Sequence, residues 1–223
     1  MSRSILLTVF AATALISGAA HAQDPITTQK RERVWTHERE RKGTALSVYS
    51  AGLIQGGLAA VFIDAFRWNF VGSTMVSVLV QRSVGNWDMR IGRVRLNGWS
   101  LEAEGQLIKH FGVEDHFEAT GSVLFRTGEI KLGQHASFNI GIANGLSWAF
   151  SKPKWEWGPT KERGVDAPQL LWHIGVEAEI SSPHLQGLSG FARIHHRSEN
   201  YGALGAPWYH SNRIGLGIRY RFQ

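Results

Sequence analysis

The chain contains no cysteine, so no disulfide framework holds it together. After residue 22 no apolar segment is long and uniform enough for a spanning helix, which takes roughly 20 residues. No helical His-x-x-x-His motif occurs among the ten histidines, one of which lies in the leader, so a metal centre of that type is excluded. Stability must come from packing, from backbone pairing, or from a bilayer.

What is present begins with an export signal. Arg3 supplies a positive start, Ile5 to Ile16 form an apolar core broken only by two threonines, and Ala20-His21-Ala22 is a small-x-small cleavage site. The apolar run is too short for an anchor, so residues 1–22 read as a secretory signal peptide cleaved after Ala22. Residues 23–43 carry mixed charge, Lys30-Arg31-Glu32-Arg33 and then His37 to Lys42, and read as a solvated periplasmic arm. Net charge is +6, and loss of Arg3 lowers it by one. An exported basic protein meets anionic lipid and lipopolysaccharide first, and the mixed signs in the arm argue against nucleic acid.

Period-two alternation decides the fold class. Leu170, Trp172, Ile174, Val176, Ala178 and Ile180 alternate with Leu171, His173, Gly175, Glu177 and Glu179. The same pattern sets Phe117, Ala119, Gly121, Val123 and Phe125 against His116, Glu118, Thr120, Ser122 and Leu124. It recurs in Ile214, Leu216, Ile218, Tyr220 and Phe222 against Arg213, Gly215, Gly217, Arg219 and Arg221. A helix would repeat its apolar positions every three to four residues. Strands are expected at 72–83, 86–95, 99–110, 115–127, 134–150, 168–181, 187–198 and 210–222. The apolar, glycine-rich segment 44–69 could add a hairpin. A soluble sandwich shows the same alternation with its apolar face inward. Strand length, the signal peptide and the aromatic end of the last strand favour a barrel with lipid outside. The expectation is an all-β, antiparallel up-and-down transmembrane β-barrel of eight or ten strands, residues 44–223, in the outer membrane.

Orientation follows if the chain ends in the periplasm: 151–167 and 199–209 are then extracellular, and 182–186 is periplasmic. The pair Asn97-Gly98 reads as a tight periplasmic hairpin turn. Eight or ten strands enclose an interior mostly filled by side chains, which disfavours a diffusion porin.

One constellation carries chemistry. Parity along 187–198 puts His196 and Ser198 on the apolar, outward face, and parity back from Phe222 puts Asn212 there too. Lipid-facing polar groups are costly at mid-depth, so three at the strand ends point to an interfacial role. Residues i and i+2 of a strand point the same way with Cα atoms about 6–7 Å apart. His196 could thus take the Ser198 proton for attack on an acyl ester, with Asn212 orienting the imidazole.

Arg193-Ile-His-His-Arg-Ser198, Gly202 and the closing strand from Asn212 to Phe222 resemble the C-terminal hairpin of the PagL-type lipid A deacylases and the broader acyloxyacyl-hydrolase-like outer-membrane proteins. Asn144 to Phe150 and 170–180 are similar to the broader group. The resemblance implies an outer-membrane barrel that hydrolyses an ester-linked acyl chain of lipid A with serine, histidine and an acid, and without a metal. It assigns Ser198 as nucleophile and His196 as base. It departs at Asn212, where the deacylases carry a glutamate, and at Glu199, where an asparagine is usual. The alternative is a non-catalytic barrel of the same family with a structural or lipopolysaccharide-binding role.

The remaining expectations are structural. No metal or cofactor is expected, because the lumenal pair His173 and Glu177 lacks a further ligand. His195, of opposite parity, should face the lumen. Trp68, Trp87, Trp99, Trp148, Trp155, Trp157 and Trp208 lie near strand ends and suit an aromatic girdle. Lys152, Lys154, Lys161, Arg163, Arg197 and Arg213 are candidates to meet lipid A phosphates. Whether the barrel forms a homodimer is left open.

Overall fold

A computed structural model describes residues 43–63, 67–91, 94–155, 167–199, 204 and 209–222. The signal peptide and the charged arm lie outside these residues. Nine strands are present among them: β1 (Thr44–Ile54), β2 (Phe70–Ile91), β3 (Val94–Gly112), β4 (Phe117–Arg126), β5 (Ile130–Leu132), β6 (Ala136–Ala149), β7 (Leu170–Ser181), β8 (Leu188–Ser198) and β9 (His210–Arg221). A short helix, α1 (Leu58–Ile63), follows β1.

Eight of the strands close into a ring. The order runs β1-β2-β3-β4-β6-β7-β8-β9, and β9 pairs back onto β1, with every pairing antiparallel. The three-residue β5 pairs with β6 beside the ring. A closed ring leaves no edge strand with unpaired backbone groups, the condition for crossing hydrocarbon with strands.

Parity behaves as the alternation required. Val78, Leu107, Val123, Ile142, Leu216 and Ile218 are exposed on the outer wall, while Glu102, Glu118, His173, Glu177 and Arg219 are buried. That is a barrel turned inside out relative to a water-soluble one. The interior is a packed polar core. Arg126 donates to Glu102, Asn139 and Glu179, and Arg193 spans Glu104 and Glu177. Arg219 reaches Glu177 and Glu179, its guanidinium 4.5 Å from the Phe191 ring centroid. Buried charges survive without water because each meets an opposite charge in hydrogen-bond geometry. One apolar layer interrupts them, formed by Tyr49, Ala51, Met75, Ile108 and Phe191.

The lumenal glycines belong to this packing. A Cβ on Gly217 would collide with Tyr49 and Phe191, and one on Gly175 with the Arg193 guanidinium. Small residues on some strands make room for the longest side chains of their neighbours.

Two boundaries differ from the sequence expectation. Segments 72–83 and 86–95 are not separate strands. The first and most of the second form one strand, β2, whose register slips between Ser83 and Gly85, so Val84 marks a bulge rather than a turn. Asn97-Gly98 is likewise no hairpin turn. Gly98 sits inside β3 at φ 74°, donating its N–H to Asp88 Oδ1 at 2.7 Å. A local polar partner and a positive-φ glycine serve a bulge as well as a turn, so the dipeptide misled. The β2–β3 connection is at 92–93, outside the described residues. Segment 44–69 adds one strand and a helix instead of a hairpin, which leaves the ring at eight.

Candidate active site

The ring has two distinct ends. One carries the connections 55–69, 113–116, 150–169 and 199–209, and the other carries 92–93, 127–135 and 182–187. His196, Ser198 and Asn212 lie at the long-loop end, on the last turns of β8 and the first of β9.

The ladder brings His196 and Asn212 together. They are directly opposed across β8 and β9, and His196 Nδ1 lies 2.7 Å from Asn212 Oδ1. Asn212 Nδ2 donates to the Gly56 carbonyl at 2.6 Å. Because the amide nitrogen is committed to that carbonyl, the oxygen is what faces the ring, so His196 Nδ1 must carry the proton. Nε2 is left with its lone pair, the state a general base requires. Ser198 stands one rung further along the same face, half-buried, its backbone opposite Trp172 and His210.

The Gly56 contact spans 156 residues and comes from an element that sequence did not suggest. After β1 the chain bends back over the outside of the barrel. Val61 of α1 packs with Ile54 and Ile194, flanked by Leu58, Trp68, Val176 and Ile214. Ile194 keeps 9% exposure while Ile218, lower on the same outer wall, keeps 63%. Trp68 is therefore not simply a girdle residue: its indole N–H donates to the Val61 carbonyl at 3.0 Å and ties down the end of α1. Gly56 adopts φ 113°, a left-handed conformation that a side chain would strain. The candidate pair is consequently buried in the outer wall, His196 at 6% exposure and Asn212 at 0%.

His210 is the residue that sequence reasoning missed on this face. Glu199 donates its backbone N–H to Tyr209, so 199 and 209 form a hydrogen-bonded rung. The next rung, Ser198 with His210, is then of the close, non-hydrogen-bonded kind, with Cα atoms about 4.5 Å apart. His210 Nε2 is buried with no hydrogen-bond partner among the described residues. Its parity with Asn212 was the available signal.

Other expectations divide. His195 faces the lumen, 3.0 Å from Glu118 Oε1, its ring tilted against His173 with centroids 4.4 Å apart. Arg197 and Arg213 cannot meet lipid phosphates as placed, because both are fully buried in the lumen. Arg197 donates to Ser147 Oγ and the Gln169 carbonyl, and Arg213 donates to Ser211 Oγ. Odd numbering on β8 and β9 sends them inward. Lys152 and Lys154 are exposed, whereas Lys161 and Arg163 lie outside the described residues. Glu177 is committed to three arginines and is in no position to join His173 on a metal.

A second titratable group lies inside the same end, on the β3–β4 hairpin. His110, His116 and Glu118 each offer one ligand atom within 4.8 Å of the others. Beside them burial alone would raise the Glu114 carboxyl. The adjacent His116 and Arg213 override it and hold Glu114 at about 2.

No protein-family model and no curated protein sequence matches the chain. Among solved structures, the barrel is similar to the outer membrane enzyme PagL, with a TM-score of 0.56 at 10% sequence identity. The match covers 80% of this chain and 99% of that one. Neisserial surface protein A aligns over 80% of this chain and 96% of its own, with a TM-score of 0.45 and 11% identity. At such identity the PagL likeness speaks for the fold: an antiparallel barrel of eight strands.

Proposed function

We propose that this protein is an outer-membrane serine esterase that removes an ester-linked acyl chain from lipid A. The observation that carries this reading is the His196–Asn212 hydrogen bond on the outer wall, with Nδ1 protonated and Ser198 one rung away. Ser198 Oγ–H gives its proton to His196 Nε2 as the oxygen attacks the acyl carbonyl. Collapse of the tetrahedral adduct breaks the ester bond, and the departing hydroxyl takes the proton back from His196. Water, deprotonated by the same nitrogen, then releases the fatty acid from Ser198. A site on the lipid-facing wall meets a substrate whose acyl chains stay in the membrane. The resemblance of fold to an outer membrane enzyme supports placing this barrel, with its apolar outer belt, in the same compartment.

One observation favours a second reading. Asn212 is neutral, and a neutral amide stabilises an imidazolium less than a carboxylate does. A barrel that binds lipopolysaccharide without cleaving it would tolerate that. Mass spectrometry of lipid A from cells expressing the wild type, Ser198→Ala or His196→Ala separates the two. Loss of one acyl chain with the wild type alone is expected. Identical lipid A in all three, with the barrel folded in the membrane, favours the binding protein.

A further inference from the structure

We propose that the lumen at the long-loop end binds a divalent transition-metal ion of the zinc type between His110, His116 and Glu118. The site is separate from the outer-wall pair and does not depend on the esterase reading. His110 lies near the end of β3, His116 closes the four-residue connection and Glu118 is the second residue of β4, so the hairpin folds all three into one buried group. The two imidazoles stack with centroids 4.3 Å apart.

Hydrogen bonding explains why this group suits a cation. His110 Nε2 lies 2.8 Å from Glu118 Oε2, and His116 Nδ1 lies 3.0 Å from Glu114 Oε2. A carboxylate only accepts, so the His110–Glu118 hydrogen bond fixes the proton on His110 Nε2, while His116 Nδ1 meets Glu114 as an ion-pair contact. His110 Nδ1 is then a lone-pair nitrogen, and His116 Nε2 is the ring nitrogen not facing Glu114. Both are buried with no hydrogen-bond partner among the described residues. An orphaned polar nitrogen at such depth costs about 1–3 kcal/mol, and two of them on stacked rings suit an electron-pair acceptor. Glu114 completes the arrangement. It is held by the Trp155 backbone N–H at 2.7 Å and backs His116 from behind, as outer carboxylates back metal-bound histidines.

Tetrahedral zinc needs ligand atoms roughly 3.3 Å apart, given metal–ligand distances near 2 Å. From a spread of up to 4.8 Å the two rings must turn toward Glu118, trading the His110–Glu118 bond for coordination by Oε2, while Ser147 and His195 keep Oε1. Arg197, 3.5 Å from Glu118, and Arg213, 4.0 Å from Glu114, oppose the incoming charge. They hold the affinity below that of an all-histidine site. A bound ion would staple the hairpin at the mouth of the barrel.

The test is calorimetry of the refolded, tag-free barrel in detergent with Zn²⁺, alongside Co²⁺ absorption as a readout of ligand geometry. One equivalent should bind, at least tenfold more weakly in His110→Ala and His116→Ala and about 10–100-fold more weakly in Glu114→Gln. Arg213→Gln should tighten it. Zn²⁺ should also raise the temperature at which the folded barrel loses its fast electrophoretic mobility. The exposed pair His135 and His184, with nitrogens 3.3 Å apart, is the competing site, so the His135→Ala/His184→Ala double variant should bind unchanged. Absence of Zn²⁺ binding at high micromolar concentration overturns the proposal. So does binding that survives His110→Ala and His116→Ala, or that vanishes in the double variant. If an alanine variant fails to refold, Glu114→Gln and Glu118→Gln, which keep the side-chain shape, carry the same comparison.

Discussion

Replacing Asn212 by leucine tests the geometry on which the proposed chemistry rests. The side chain keeps its approximate volume but loses both hydrogen bonds, the 2.7 Å contact to His196 and the 2.6 Å contact to Gly56. The buried His196 Nδ1–H is then left unpaired, at about 1–3 kcal/mol, and the half-buried Gly56 carbonyl loses its donor. The carbonyl loosens the 55–57 bend and lowers stability. The imidazole instead loses the bond that selects its reactive tautomer, and a penalty of about 1–3 kcal/mol corresponds to roughly a 5–150-fold fall in kcat. Ester hydrolysis in detergent micelles, with substrate above KM, reads this directly. Asn212→Asp sharpens the comparison. A carboxylate would strengthen the bond to His196 as it becomes charged, by about 1–2 kcal/mol, yet it sets one oxygen against the Gly56 carbonyl where the amide N–H had donated. A rate about 5–30-fold higher in a less stable barrel is expected. Asn212→Glu adds a methylene and meets the same carbonyl, so a simple gain from restoring an acid does not follow. If Asn212→Leu turns over within twofold of the wild type while Ser198→Ala is inactive, Asn212 does not position His196 and the reasoning fails.

Two further outcomes follow from the same structure. His210 faces Ser198 across a close rung with a buried Nε2 that has no hydrogen-bond partner among the described residues, a nitrogen placed to donate to an oxyanion formed at Ser198; His210→Phe should then lower kcat about a hundredfold with little change in KM, the scale of losing one such donor, and an unaltered rate places His210 outside the chemistry. Glu177→Ala takes one carboxylate from Arg126, Arg193 and Arg219, leaving Glu102, Glu104 and Glu179 to hold them, and the uncompensated buried charge should cost about 3–5 kcal/mol in urea unfolding of the barrel; a loss under about 1 kcal/mol means the lumenal network is replaceable by water.

Period-two alternation was legible because it is a local consequence of the pleat: each side chain reports its face through its own polarity. From it came the strand class, the inward course of Glu177 and Arg219, and the shared outward face of His196 and Asn212. Local signals failed where one residue pattern serves two purposes. Asn97-Gly98 and Val84-Gly85 carry turn chemistry, but long pairing on both sides absorbs each as a bulge. The polar-in rule also overstated the interior, since Met75, Leu79 and Ile108 point inward to fill a layer between the charges.

The amino-acid order by itself determined that the chain crosses as strands, which side chains meet lipid and which meet the lumen, because alternation along one strand needs no knowledge of its neighbours; eight strands rather than ten was decided by the closed ring. Tertiary structure alone decided which polar residues find each other. The Gly56 carbonyl that fixes Asn212 and the cover of α1 over Ile194 both depend on ring closure and loop path. Those contacts join residues with no shared period, so no pattern in the sequence encodes them.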